Sequence, residues 1–388
     1  MKEPSHSSPG ARLRALFAAG LLVFALILAI AAAHAQAPDH AVASSSAQAA
    51  TKTAVEQFKN IQVLKDIPAD QLIPAMQFIT ASLGVECEYC HVHDAFDKDE
   101  KKTKVTARKM MLMMMAINKD NFEGHREVTC YSCHRGARDP VSTPIISAEE
   151  AAPEEEAPNA EKAALPTAEQ LLDKYLAAAG GAPALQKITS RVAKGTATFG
   201  GQSVPVDVYA KAPDKRLSVM HLKSGESLTG YDGHQGWLSV PGRTHMMSPA
   251  ENAAISIDAD FYFPIDIKTR YEKFRVETGE KIDGHDTYLV IGRKEGAPPL
   301  RLYFNPQSGL LVRLVRYAET PLGRNPTQID YADYRAVDGL KMPYRWTLAR
   351  PGNRFTIQVA QWQQNVDVDD AKFAPPPPPP PPAPKPGS

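Results

Sequence analysis

GVECEYCHVH (residues 84–93) and VTCYSCHRG (residues 128–136) each set two cysteines three positions apart, with a histidine directly after the second. These are the only four cysteines in the chain. Two thiols so spaced on a helical turn reach the two vinyl groups on one edge of a porphyrin, and the adjacent imidazole can turn under the ring to meet iron. The spacing predicts two haem c groups, with Cys87, Cys90, Cys130 and Cys133 as thioether residues and His91 and His134 as proximal ligands. Disulfides would use the cysteines but explain neither histidine. A zinc site built from two such pairs usually has a shorter gap than the 39 residues between Cys90 and Cys130. A thioredoxin-like pair would want a single motif near a βαβ pattern, which is missing.

Working outward, Leu72, Met76, Ile79 and Leu83 recur at helical spacing and Gly84 stands where a helix would end. A second helix is expected over Val105 to Asn118, with Met110, Met113, Met114 and Ile117 on one face. Met76 lies on the stripe of the first helix, which can fold back over a macrocycle and bring a thioether to its distal side. Packing is the other use of such a residue, but in so small a module facing the core and facing the iron are nearly the same direction. Five methionines fall between residues 110 and 115, most of them filler around a flat ring, and spacing does not choose a ligand among them. His93 and His125 are expected on solvated turns.

The rest of the chain divides around these motifs. Lys+Arg and Asp+Glu are both 44 in 388 residues, so no global charge argues for nucleic acid or for a strongly charged partner. Arg12 and Arg14 precede the apolar run ALFAAGLLVFALILAIAAA (residues 15–33) and the small-x-small triplet Ala33-His34-Ala35, which predicts an export signal over residues 1–35. Retained, the same run would be a membrane anchor. Residues 36–54 read as a disordered lead-in and 55–142 as the cysteine-bearing module. Residues 143–165, which include SAEEAAPEEEAPNAEK, read as an acidic linker, 166–374 as a second domain, and 375–388 as a proline-rich tail with eight consecutive prolines.

That second domain opens with PTAEQLLDKYLAAAGG, where Thr167 and Gln170 make a capping box and Gly180-Gly181 close a helix. Afterwards the period changes. SVPVDVYAKA, GWLSV, DTYLVIGRK, LRLYFN, LLVRLVRY and RFTIQVAQW are β-rich, with turn signals at Asp232-Gly233, Asp283-Gly284, Asn305-Pro306 and Asp338-Gly339, and a short helix is expected after Ser248-Pro249. The fold class expected is a small mainly-α dihaem module followed by an α+β, mainly antiparallel β domain. His221, His234, His245 and His285 have no nucleophile at a recognisable spacing, so no catalytic constellation stands out there.

PAMQFITASLGVECEYCH (residues 74–91), TARKMMLMMMAINKDNF (residues 106–122) and VTCYSCHRG together resemble one dihaem half of the cytochrome c subunit of photosynthetic reaction centres, over residues 55–140. The resemblance implies axial methionines on the helix ahead of the first motif and after the Arg-Lys pair on the next, here Met76 and Met110. The chain departs from that family in having two motifs where four are usual, and in lacking the N-terminal cysteine that carries a lipid. The stretch from Gln328 to Pro376 resembles lipoprotein-carrier-like half-barrels, with Gly339 and Pro343 matching a Gly-x-x-x-Pro pattern, and implies a sheet able to hold a hydrophobic ligand. Histidine and methionine ligation would fill both axial positions. The expectation is an exported, periplasmic carrier of single electrons between membrane-associated redox partners, not an enzyme. A dihaem peroxidase-type enzyme, or a ligand carrier acting through the second domain, are the alternatives, and carbon monoxide binding by the reduced protein separates the first of them.

Overall fold

The computed structural model describes residues 52–140 and 165–377. The export signal, most of the lead-in and linker, and the tail beyond Pro377 lie outside the described residues. The described part begins with the last three residues of the stretch expected to be lead-in. Thr53 bridges to Pro68 and opens α1 (Ala54–Gln57) with a capping box, the Glu56 carboxylate accepting from the Thr53 amide at 2.7 Å. Ala54 is fully buried there.

α2 (Leu72–Leu83) ends at Gly84 as its sequence predicts, with Gly84 in the left-handed region at φ 63°. Glycine is required twice over at this position: a Cβ would strain the backbone, and it would collide with the Gly136 carbonyl just past the second cysteine motif. α3 (Lys102–Asn121) is longer than expected at both ends. Its buried stripe is Lys104, Met111, Met114 and Asn118, not the face of Met110, Met113, Met114 and Ile117 that the sequence suggested. A run of five methionines offers every helical phase equal hydrophobicity, so the polar Asn118 and Lys104, which make buried hydrogen bonds, set the rotation instead. α4 (Cys130–His134) carries the second motif.

The second domain contains one 13-stranded antiparallel sheet built from two meanders. The first comprises β1 (Ser190–Phe199), β2 (Gln202–Lys211), β3 (Lys215–Leu222), β4 (Gly225–Tyr231), β5 (Gly236–Val240) and β6 (Arg243–Met246). The second comprises β7 (Lys273–Ile282), β8 (His285–Arg293), β9 (Leu300–Phe304), β10 (Leu311–Glu319), β11 (Arg324–Val337), β12 (Leu340–Arg350) and β13 (Asn353–Gln364). Pairing of β1 with β13 joins them, leaving β6 and β7 as the edges. The fold class is therefore the one expected, a small mainly-α module and an α+β, mainly antiparallel domain.

Helices cover part of the sheet. α5 (Ala168–Ala179) has the predicted Thr167/Gln170 capping box, and α6 (Ala182–Leu185) follows its Gly180-Gly181 end. α7 (Pro249–Ala259) begins at Ser248, and α8 (Phe263–Arg270) follows it. Leu171 and Tyr175 of α5 and Ile267 of α8 bury against Val290, Leu302 and Phe304. Asp258 of α7 forms a two-pronged pair with Arg316 of β10 at 2.7 and 2.5 Å, both side chains nearly buried, which fixes the helix to the sheet. No helix among the described residues is long and apolar enough to cross a membrane.

The two parts share a core. Leu322, in the turn between β10 and β11, is fully buried among Leu72, Phe78, Ile79, Met111 and Met114 of the helical module. The neighbouring Gly323 lies flat against the Phe78 ring, where any Cβ would clash. Arg126 donates to the Thr320 carbonyl at 2.6 Å and to Glu319 at 2.5 Å, and Asn325 donates to the Pro74 carbonyl at 3.0 Å.

Candidate functional site

The first motif follows three residues after the end of α2. Cys87–Tyr89 forms a short 3-10 turn, and the His91 amide donates to the Cys87 carbonyl at 3.0 Å, so the five residues wind as one helical turn. The start of α3 clamps this turn from the side: Thr103 donates to the Tyr89 carbonyl at 2.6 Å, and the Lys101 ammonium to the Glu88 carbonyl. In the second motif Thr129 is the N-cap of α4, its amide donating to Ser132 at 3.0 Å, and Arg135 ends the helix at φ 50°. Contacts between α2 and α4, with the Gly136 amide donating to the Ser82 carbonyl at 2.9 Å, bring the two motifs to one end of α2. Chain reach from that junction limits the Cα separation of Cys87 and His134 to about 22 Å.

The two histidines are held alike. Nδ1 of His91 lies 2.9 Å from the Phe96 carbonyl and Nδ1 of His134 lies 3.1 Å from the Ala137 carbonyl. A carbonyl can only accept, so Nδ1 carries the proton in each ring and the Nε2 lone pair is left available as a ligand. All four cysteines are free thiols. Burial pushes the Cys90 and Cys130 thiols up from their ordinary range, so neither is a reactive thiolate. No group of three or more His, Cys, Asp or Glu side chains converges as a metal site among the described residues.

The surface around these motifs is apolar in a way that suits a macrocycle. Among the described residues, ten of the thirteen exposed large hydrophobic side chains lie between residues 52 and 140, Tyr89, Phe96, Met110, Met113 and Tyr131 among them, so the module presents apolar faces that the described residues do not cover. The residues present thus fit haem c: free thiols in pairs, oriented imidazoles and an uncovered apolar surface. Met76 is half-buried beside the module core, whereas Met110 is 40% exposed, on the face of α3 that the core does not use. His93 and His125 are exposed, as expected, and His93 pairs with Asp94 at 2.9 Å.

Sequence reading missed the residues that hold the motifs in place. Lys104 is nearly buried, and its ammonium donates to the carbonyls of Phe96 at 2.9 Å and Lys98 at 2.7 Å, with Asp99 at 3.0 Å. Phe96 is therefore anchored by Lys104 while it accepts from His91. Hydrogen bonds from Arg108, Asn60 and Lys104 hold the Asp99 carboxyl well below the usual carboxylate range. Asn118 does the same for the second motif: its Nδ2 donates to the Val128 carbonyl at 2.7 Å, and its Oδ1 accepts from the Glu127 and Val128 amides. For Asn118 the one available signal was a polar residue just after the methionine run of α3; Lys104, one of several lysines, carried none.

A second feature lies between the two parts. A cavity of about 1040 Å³ is walled by Ile73, Gln77 and Thr80 of α2 and by Cys87 on one side, and by sheet residues including Trp346 and Trp362 on the other. Arg191 of β1 also lines it, its guanidinium 4.2 Å from the centre of the Phe261 ring.

Paired thiols, a following histidine with its Nδ1 anchored, and apolar surroundings define the c-type cytochrome class of motif. Residues 26–187 match the family model of the photosynthetic reaction centre cytochrome C subunit, and this part of the chain resembles that family. Over 53 residues the chain is 43% identical to the photosynthetic reaction center cytochrome c subunit of Thermochromatium tepidum, 13% of each chain. Over 76 residues it is 37% identical to that of Roseobacter denitrificans, 16% of this chain and 20% of the relative. Cytochrome c-554 of Chloroflexus aurantiacus is 34% identical over 65 residues, 15% of this chain and 16% of that protein. The chain therefore spans a fifth or less of the length of these relatives. Among solved structures, a LolA superfamily protein from Nitrosomonas europaea overlaps 54% of this chain and 98% of its own, at TM-score 0.35 and 15% identity. A DUF1329 family protein from Desulfovibrio piger overlaps 53% and 96%, at TM-score 0.35 and 14% identity.

Proposed function

We propose that this chain is an exported dihaem c-type cytochrome that carries single electrons between redox partner proteins at a membrane surface on the periplasmic side. Cys87 and Cys90 hold one haem by thioether bonds and Cys130 and Cys133 the other. His91 and His134 are the proximal ligands, and Met76 and Met110 the distal ones. The supporting observation is the repeated histidine geometry, in which a backbone carbonyl fixes the tautomer at both motifs and leaves Nε2 to donate.

Bound haem supplies a reversible one-electron iron couple. The chain's own residues orient the imidazoles through Phe96 and Ala137, and with a histidine and a methionine held to each iron no coordination position would be left for small molecules, which suits transfer rather than peroxide chemistry. Intact-mass measurement of the secreted protein tests the reading: two added haem masses support it, and an unmodified chain or joined cysteine sulfurs would end it. Met110→Ala should abolish the long-wavelength methionine-to-iron absorption band of one haem. If both haems keep it, a different residue ligates, and Met113 one turn on is the neighbour on the same face. A second role, holding a hydrophobic ligand in the sheet domain, is favoured by the 1040 Å³ cavity.

A further inference from the structure

Buried polar atoms without a partner are rare in folded proteins, and each calls for an explanation. Six side-chain atoms among the described residues are in this condition, and four of them belong to residues lining the one cavity: Asp70 Oδ1, Asn325 Oδ1, and Arg191 Nε and Nη2. The sheet side of the cavity therefore offers buried donors. The side at the helical module, where Asn325 also bonds to Pro74, offers buried acceptors. Arg191 and Asp70 take part in no ion pair among the described residues. The lining mixes aromatic and aliphatic side chains, Trp346, Trp362 and Ile357 among them, with further charged ones such as Arg216 and Arg243, and Cys87, the first residue of the first motif, is part of it.

We infer that this cavity binds a quinol, an apolar ring with two oxygens, and passes its electrons to the adjoining module. The inference rests on the proposed haem attachment and on the hydrophobic-ligand role, and it names the ligand class. A fatty acid would satisfy Arg191 with its carboxylate and leave Asp70 and Asn325 unpartnered. A quinol serves both sides, because its near hydroxyl donates to Asp70 or Asn325 and its far oxygen accepts from Arg191.

The stoichiometry also agrees. Oxidation of a quinol breaks two O–H bonds, turns two ring C–O bonds into carbonyls and releases two electrons and two protons. Two ferric haems, held by Cys87, Cys90 and His91 and by Cys130, Cys133 and His134, would take one electron each. The Asp70 carboxylate accepts one proton, and the second passes to the His245–Glu251 pair, which also lines the cavity with Nε2 and the carboxylate 3.3 Å apart. The product quinone accepts from Arg191 but has no hydroxyl to donate to Asp70 or Asn325, so it is bound less firmly than the quinol.

The test uses the full haem-loaded chain, a short-chain benzoquinone and its quinol. Calorimetry should show saturable binding of one quinone per chain, weakened about tenfold or more in Arg191→Leu, which removes a charged hydrogen bond. Ile73→Trp enlarges a lining side chain on the helical side and should block binding even if the arginine variant folds poorly. The quinol should reduce the oxidised haem bands of the wild-type protein, and Asp70→Asn, which removes the proton acceptor, should slow that reduction. Absence of quinone binding in a chain that carries two haems overturns the inference and leaves the electron-carrier reading standing. So does saturable palmitate binding without quinone binding, which makes the cavity a lipid holder. A chain without haem ends the electron-carrier reading and the electron-transfer half of this one.

Discussion

The helical module and the sheet domain solve the problem of a core in opposite ways. The sheet domain closes its own: α5 and α8 pack on the sheet, α7 is fixed by a buried ion pair, and only three large hydrophobic side chains among the described residues from 165 onward are exposed. The module, with fewer than half as many described residues, exposes ten, and its largest buried cluster is completed by a leucine from the other domain. A short chain buries too small a fraction of its surface to be stable alone, so it borrows apolar partners. Here the partners are the β10–β11 turn and, by our reading, two macrocycles. The comparison makes the module the part of the molecule most sensitive to change.

The largest effect should come from removing an attachment site. The double variant Cys87→Ala, Cys90→Ala should carry one haem in place of two by intact mass, and its helical signal should melt well before that of the sheet. Retention of two haems would break the comparison, because the first motif would then not be the module's missing core.

Next comes the borrowed leucine. Leu322→Ala removes a fully buried side chain from the shared cluster and should destabilise the module by about 2–5 kcal/mol, read as a lower denaturant midpoint for the haem-linked transition. The sheet transition should move far less. Equal shifts in both would mean the two parts unfold as one unit.

Much of this architecture was legible in the sequence. Gly84, the Thr167/Gln170 box and Ser248-Pro249 announced helix ends because a cap is a local device whose residues sit within four positions of one another. The motif histidines were legible for the same reason. Strands such as β11 were not, since most of its positions are neither fully buried nor fully exposed and alternation is blurred. The insertion of Leu322 and the cavity depend on contacts between residues hundreds of positions apart, and the rotation of α3 on side-chain bonds to carbonyls of neighbouring loops, which no periodic pattern records. Lys104 shows the limit well. In the sequence it is one of several lysines in KDEKKTKVTARK, and only its burial under Phe96 and Lys98 distinguishes it.

That residue gives a sharper probe of the module. Lys104→Met keeps the volume but removes the donors to two carbonyls, which should cost about 1–3 kcal/mol. The loss should fall on the first motif, where the freed Phe96 segment no longer steadies His91, and haem-by-haem redox titration should show one potential shifted and one unchanged. Two shifted potentials would mean that Lys104 supports the module as a whole.

The smallest effect tests the sheet domain, where the comparison predicts tolerance. The hydrogen bond to Glu251 raises the His245 pKa above its ordinary value, outweighing partial burial. Burial pushes the Glu251 carboxyl up, but the hydrogen bonds from His245 and Ser248 bring it below the usual range in balance. The signs then define a window. The His245 contribution is fully present below the unfolded histidine pKa, about 6.5, and is lost as pH rises through the higher folded value. The Glu251 contribution is present above the unfolded glutamate value, about 4.3, and is lost as pH falls through the lower folded one. Stability from the pair is therefore greatest in mildly acidic solution, between those limits. Both side chains are about a third exposed, and exposed pairs are screened, so the effect should be a shift of about a degree or two in the sheet transition. His245→Gln should flatten the pH dependence on the alkaline side and leave the haem bands unchanged, because neither member of the pair touches the cysteine motifs.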